Sequence, residues 1–206
     1  MQHCSRRVLG IFKTSIQTSG SVPKRGLLVC NHLGYVDILV LSSITPSIFV
    51  SKQEVKNWPV FGWFAKMGGT LFVDRERRTG VGQTTNEIES ALDQGALVVL
   101  FPEGTSSDGK TVLPFKSSLL EPATRQTHSL FVALIQYEID DGDASEEVCY
   151  WRDTTPLVSH MTNLLSKKTI RASVRFTQLR EGSTDRKELA RQLHSEVMRL
   201  KESPVF

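Results

Sequence analysis

Six short apolar runs punctuate the chain at intervals of roughly one strand–helix unit: residues 26–31 (GLLVCN), 47–52 (SIFVSK), 70–75 (TLFVDR), 96–103 (ALVVLFPE), 129–139 (SLFVALIQYEI) and 169–176 (TIRASVRF). Each is near-continuously apolar and rich in Val, Ile, Leu and Phe, the pattern of strands buried on both faces. Between them, residues 36–44, 59–67, 79–94, 113–126 and 156–166 fit helices. Residues 184–201 predict a final helix with Leu189, Leu193, Val197 and Leu200 on one side. The alternation predicts an α/β fold: one domain with a mostly parallel central sheet flanked by helices. Residues 140–155 read as an acidic surface loop.

Ahead of this lies a stripe. In residues 5–16, Val8, Leu9, Ile11, Phe12 and Ile16 follow an approximate helical period, with Arg6, Arg7 and Lys13 elsewhere around the cylinder. The expectation is an amphipathic N-terminal segment over residues 1–20, preceding a main domain over 21–206. Such a helix suits either an anionic membrane surface or the domain's own core.

Length and composition narrow the class without naming a partner. With 206 residues, 39% hydrophobic and 23% charged, the chain suits a single globular domain. The formal charge of +3 is slight and argues for no nucleic acid. Cys4, Cys30 and Cys149 show no C-x-x-C spacing, which fits a reducing compartment and argues against zinc. No apolar run approaches the ~20 residues of a bilayer span, and no secretory signal is expected.

Three polar strand ends carry the chemistry. Residues 31–37 (NHLGYVD) leave the first strand and enter a helix. On one continuous helix His32 and Asp37 would sit ~140° apart. They meet only if His32 lies in the turn and Asp37 in the first helical turn, with Gly34 giving that turn its freedom. Asp37 then orients the imidazole as a general base. A helix cap is the bland alternative. No G-x-S-x-G elbow supplies a serine nucleophile, and Cys30 sits in the apolar run.

The second strand end, in residues 68–78, places Arg75 where a phosphate can be gripped, or where it is simply solvated beside Glu76. The third, residues 101–109, exposes Glu103, Gly104 and Thr105 at the strand mouth, with Lys116 downstream in P-F-K. Residues 104–111 also fit G-x-x-x-x-G-K-[ST], the phosphate loop of NTPases, with Lys110 and Thr111 as phosphate and magnesium contacts. That reading leaves His32, Asp37 and Arg75 unused.

Together NHLGYVD, GGTLFVDR and FPEGTSSDGKTVLPFK, in this order over residues 25–140, resemble the lysophospholipid acyltransferase family of glycerolipid acyltransferases. The resemblance implies His32 as base on the acceptor hydroxyl and Asp37 as its orienting partner. It links Arg75, Glu103, Gly104, Thr105 and Lys116 to acceptor binding. It implies direct transfer from an acyl-CoA or acyl carrier protein thioester to a lysophospholipid, foremost lysophosphatidic acid giving phosphatidic acid. No cofactor or metal is implied. The chain departs from the family pattern in having Gly34 where serine is usual, Ser117 and Ser118 after P-F-K, and no proline in the run 131–134. These departures leave a lyso-ornithine lipid or another lysolipid open as acceptor. Without a span, such an enzyme is expected as a peripheral protein on the cytoplasmic side of a membrane, docked through residues 5–16 or the aromatics Trp58, Phe61, Trp63 and Phe64; both stretches equally fit core packing. A lipid-binding module without turnover and thioester hydrolysis are the remaining readings.

Overall fold

The computed structural model describes residues 1–53, 62, 68–73, 78–152 and 154–203. Arg75, the four aromatics of residues 57–64 and most of the helix expected over 59–67 lie outside the described residues.

The element order is α1 (Gln2–Ile11), β1 (Thr14–Ser19), β2 (Gly26–Cys30), α2 (Tyr35–Ile44), β3 (Ile48–Lys52), β4 (Leu71–Val73), α3 (Arg78–Asp93), β5 (Leu97–Leu100), α4 (Glu121–Thr124), β6 (Leu130–Ile139), α5 (Ala144–Glu147), α6 (Leu157–Ser166), β7 (Ile170–Leu179) and α7 (Arg186–Glu202). Seven strands form one sheet in the order β1-β7-β6-β2-β5-β3-β4. Every neighbouring pair is parallel except β6–β7. The expected α/β architecture with a mostly parallel sheet is therefore present.

The apolar runs are strands for the reason anticipated. All five residues of β2 and all four of β5 are buried, because helices cover both faces of the sheet. One face packs Leu28, Cys30 and Val99 against Leu9 of α1 and Phe12 just beyond it, Val36, Leu39 and Val40 of α2 and Leu164 of α6. The other packs Leu27, Val29 and Val98 against Ile88 and Leu92 of α3 and Leu189, Leu193 and Val197 of α7. Asp185 caps α7 by accepting from the Lys187 and Glu188 amides at 2.9 and 2.8 Å.

Three regions differ from expectation. The helix anticipated over 5–16 ends at Ile11, and Ile16 belongs to β1, a strand alongside β7. Lys13 makes the bend at a φ of 51°, and its carbonyl takes the Ile170 amide at 3.2 Å. Most of the apolar stripe points inward: Leu9 and Phe12 are core, and Val8 and Ile16 pack on it, while Ile11 is left exposed. Residues 113–126 hold only the four-residue α4. Their backbone groups find partners outside any helix, such as the Lys116 amide on Pro102 O at 2.8 Å. The stretch 140–155 is not wholly surface, since Val148 and Cys149 are buried.

Candidate active site

In a mostly parallel sheet the carboxyl ends of neighbouring strands form one rim. Here β2 lies between β5 and β6, so the turn after β2 is flanked by the loop after β5 and the overhanging end of β6. Asn31 marks where β2 stops pairing. Its side-chain amide donates to Ile135 O at 3.0 Å and accepts the Ile135 N–H at 2.8 Å, standing in for backbone. The chain then turns through His32, Leu33 and Gly34 into α2.

His32 and Asp37 meet. His32 Nδ1 lies 2.9 Å from Asp37 Oδ2. The same oxygen accepts the Leu33 and Gly34 amides at 2.6 and 3.0 Å, and Oδ1 accepts the Tyr137 hydroxyl at 2.8 Å. Asp37 is thus a fully enclosed carboxylate in the first turn of α2, with donors on both oxygens and the positive end of the helix dipole beside it. A carboxylate accepts only, so Nδ1 carries the proton and Nε2 its lone pair. Among the described residues nothing bonds Nε2, and the His32 side chain remains 21% exposed. Its ring stacks on Phe101 at 4.2 Å between centroids, 21° from parallel.

Gly34 is demanded by this turn. Its φ is 151°, and a Cβ there would come within 2.9 Å of the Tyr150 backbone nitrogen and Cβ. Tyr150 sits so close because its amide donates to Leu33 O at 2.8 Å, and Ser106 Oγ donates to Tyr150 O at 2.6 Å. The departure of this chain from serine at position 34 therefore has a local cause.

Glu103 stands beneath the histidine. Its carboxyl accepts the His32 amide on Oε1 at 2.9 Å and the Leu113 amide on Oε2 at 3.2 Å, and the residue is 2% exposed. Burial pushes its pKa up to about 7, against the opposing pull of those two amides. The carboxyl so placed tethers two loops, a structural job that sequence reasoning had not assigned it. Gly104 makes the turn at a φ of 75°. Its amide donates to Phe101 O at 3.1 Å. Thr105 is exposed beyond that turn. Lys116 is exposed too, at the rim of a small cavity of about 20 Å³ lined by Val50, Phe101, Pro102 and Leu119. His32, Asp37, Glu103 and Phe101 are thus brought together, with Thr105 and Lys116 at the edge.

The phosphate-loop reading of residues 104–111 fails on geometry. A P-loop lysine and threonine open a helix, whereas residues 101–120 contain none, and α4 begins only at Glu121. Lys201 Nζ donates to Gly109 O at 2.8 Å and to Lys110 O, holding the segment as a surface loop.

Burial disfavours the thiolate form of both buried cysteines. Burial pushes Cys30 well up, reinforced by Asp37 and Glu103, and raises Cys149 in the same way. Tyr137 is likewise raised by burial and then by Asp37, so it stays a proton donor. Tyr137, Tyr150 and Ser107, whose amide donates to His32 O at 2.9 Å, were missed from the sequence. The polar pair Gln136-Tyr137 ending an otherwise apolar strand was the available signal.

Comparisons agree with this arrangement. The acyltransferase family pattern matches residues 13–133. A lyso-ornithine lipid O-acyltransferase of Brucella abortus is 37% identical over 98% of this chain and 81% of its own length. A 1-acyl-sn-glycerol-3-phosphate acyltransferase of Neisseria gonorrhoeae is 31% identical over 63% of this chain and 54% of its own. The crystal structure of the 1-acyl-sn-glycerophosphate acyltransferase PlsC from Thermotoga maritima superposes with a TM-score of 0.63 at 17% identity, covering 98% of this chain and 81% of that one, and so shares the fold. With its His–Asp pair at the rim of such a sheet, this chain belongs to the acyltransferase family and is an O-acyltransferase.

Proposed function

We propose that this enzyme moves a fatty acyl group from an acyl-CoA or acyl carrier protein thioester to the hydroxyl of a lysolipid at a membrane surface, with His32 as general base. The observation that carries the reading is the 2.9 Å contact of His32 Nδ1 with a buried Asp37, which leaves Nε2 as the basic atom facing outward. His32 Nε2 takes the proton of the acceptor hydroxyl as its oxygen attacks the thioester carbonyl. The C–S bond breaks, and the departing thiolate takes the proton back. Asp37 keeps the tautomer and steadies the imidazolium, help typically worth 10²–10⁴-fold. Phe101 holds the ring plane throughout. The residues assigned to acceptor binding are Arg75, Thr105 and Lys116. Glu103 and Gly104 act behind them by shaping the loop.

Lyso-ornithine lipid is the acceptor favoured here. The relative with that name aligns over nearly the whole chain, whereas the glycerol-phosphate relative aligns over less than two thirds of it. Lysophosphatidic acid is the second reading, supported by the latter relative and by the PlsC fold. The test is incubation of the purified enzyme with radiolabelled acyl-CoA or acyl carrier protein thioester and each lysolipid, with product lipid and free thiol measured. Transfer to lyso-ornithine lipid is expected, with loss of at least 10²-fold in His32→Ala. Full activity in that variant refutes the base. Preferential turnover of lysophosphatidic acid, with a KM raised selectively for it by Arg75→Ala, gives the second reading.

A further inference from the structure

The two faces of the sheet are covered by helices of different character. Among the described residues the large apolar side chains left exposed are Met1, Ile11, Val158 and Leu165. All lie on or beside α1 and α6, which cover the same face; α3 and α7 on the opposite face expose none. Along α6 the burial divides by helical period. His160 and Leu164 point inward, and Val158, Thr162 and Leu165 outward, with Val158 72% and Leu165 46% exposed. On α1, Arg7 and Ile11 share an outward line one turn apart, Ile11 being 62% exposed. The ends of the two helices adjoin: the Ile170 amide donates to Lys13 O at 3.2 Å, and Lys13 Nζ to Lys167 O at 3.3 Å.

The segments that form α1 and α6 are free of acids: residues 1–36 and 154–180 contain no aspartate or glutamate, whereas α3 carries Glu87, Glu89 and Asp93, and α7 mixes Glu188, Glu196 and Glu202 with Arg186, Lys187, Arg191, Arg199 and Lys201. Arg7, Lys13 and Lys168 are exposed around the apolar residues of α1 and α6. Acids do border α6 at α5 and the turn before it, where Glu147 pairs with Lys167, Glu146 with Arg152 and Asp140 with Arg171.

We propose that the outer face of α6, with the carboxyl end of α1, is the surface on which the enzyme docks to an anionic lipid bilayer. Apolar residues entering the interface among cations is the arrangement of interfacial helices. An anionic leaflet attracts the exposed Arg7, Lys13 and Lys168 of this face. A second copy of the chain would bring cations against cations, so a two-fold dimer through this face is disfavoured. The inner side of the docking helix touches the catalytic turn. His160 Nδ1 is 2.8 Å from the Tyr35 hydroxyl, at the first residue of α2, and both rings pack edge-on against Tyr150. The lipid surface would thus lie against the helix that braces the His32 turn. The proposal deepens the lipid-acceptor reading but is tested by binding alone.

The full-length protein is sedimented with vesicles of phosphatidylcholine and with vesicles containing phosphatidylglycerol, at low and high salt. Binding is expected to require phosphatidylglycerol and to weaken with salt. Arg7→Glu/Lys168→Glu should weaken it at least about 25-fold, about fivefold for each lost cation. Val158→Glu/Leu165→Glu should abolish it. Arg191→Glu on α7, an equivalent surface charge reversal, should lose less than about fivefold. Unchanged melting temperatures confirm folding, and Val158→Asn/Leu165→Asn serves if the glutamates perturb it. Turnover of a lysolipid in detergent micelles should persist in the docking variants while turnover in vesicles falls. Undiminished vesicle binding in both docking variants overturns the proposal, as does a concentration-dependent dimer that the same substitutions dissolve. Vesicle binding without any acyl transfer would refute the acceptor reading and leave the docking surface standing.

Discussion

Glu103→Gln isolates what a buried carboxyl beneath the His32 turn does to the fold. In the wild type the group titrates near 7 when folded, against an ordinary value of 4.5. Between those values the folded protein holds a proton that the unfolded chain has released. The stabilisation is therefore complete below about pH 4.5 and lost as pH rises through 7. At 1.36 kcal/mol for each tenfold change, the loss amounts to about 3 kcal/mol. The group is 2% exposed, so solvent screening discounts little of it. Glutamine fills the same space without titrating. It still offers one oxygen to the His32 or Leu113 amide, but its NH₂ then faces the other N–H, a loss of about 1–3 kcal/mol at any pH. Urea unfolding of both proteins at half-unit steps from pH 5 to 8 separates the two contributions. Glu103→Gln should be clearly less stable at pH 5, with the gap closing or reversing by pH 8. A stability difference that stays level across that range refutes the buried, proton-holding carboxyl. A gap that widens with pH would mean a carboxylate better stabilised folded than free.

Asp37→Asn should lower kcat by 10³–10⁴ with little change in KM, because the amide favours the wrong imidazole tautomer; a KM-dominated effect would make Asp37 an acceptor ligand. Tyr137→Phe removes a hydroxyl donated to a buried carboxylate at 2.8 Å and should cost about 1.5–3 kcal/mol in chemical denaturation. Gly34→Ala should destabilise by about 1–3 kcal/mol through its left-sided φ and the Tyr150 approach, measured by thermal melting. Lys110→Ala should leave acyl transfer intact and reveal no magnesium-dependent ATP hydrolysis in either protein.

What could be read ahead of the structure was whatever depends on neighbours in sequence. The strands announced themselves as apolar runs, and His32 could reach Asp37 only across a turn, a constraint that six residues contain. The helix period of 5–16 misled because Ile16 falls in phase by chance. Its true neighbour is Ala172 on β7, far along the chain. Tyr137 and Tyr150 were invisible for the same reason, since each meets the His32–Asp37 turn across roughly a hundred residues of chain. Glu103 was seen, but its part in holding the two loops together was not. A carboxylate in a loop reads as a ligand for substrate until its burial and its two amide partners are known.

The stacking of His32 on Phe101 also sets how the enzyme resets itself. With one ring face covered, Nδ1 bound to Asp37 and the backbone held by Glu103 and Ser107, the imidazole is held against turning over between cycles. In the transfer proposed, a proton accepted at Nε2 must depart from Nε2. The thiolate leaving group is the base that arrives there at the right moment, so each turnover returns the catalyst to its starting tautomer with no rotation and no proton borrowed from bulk water.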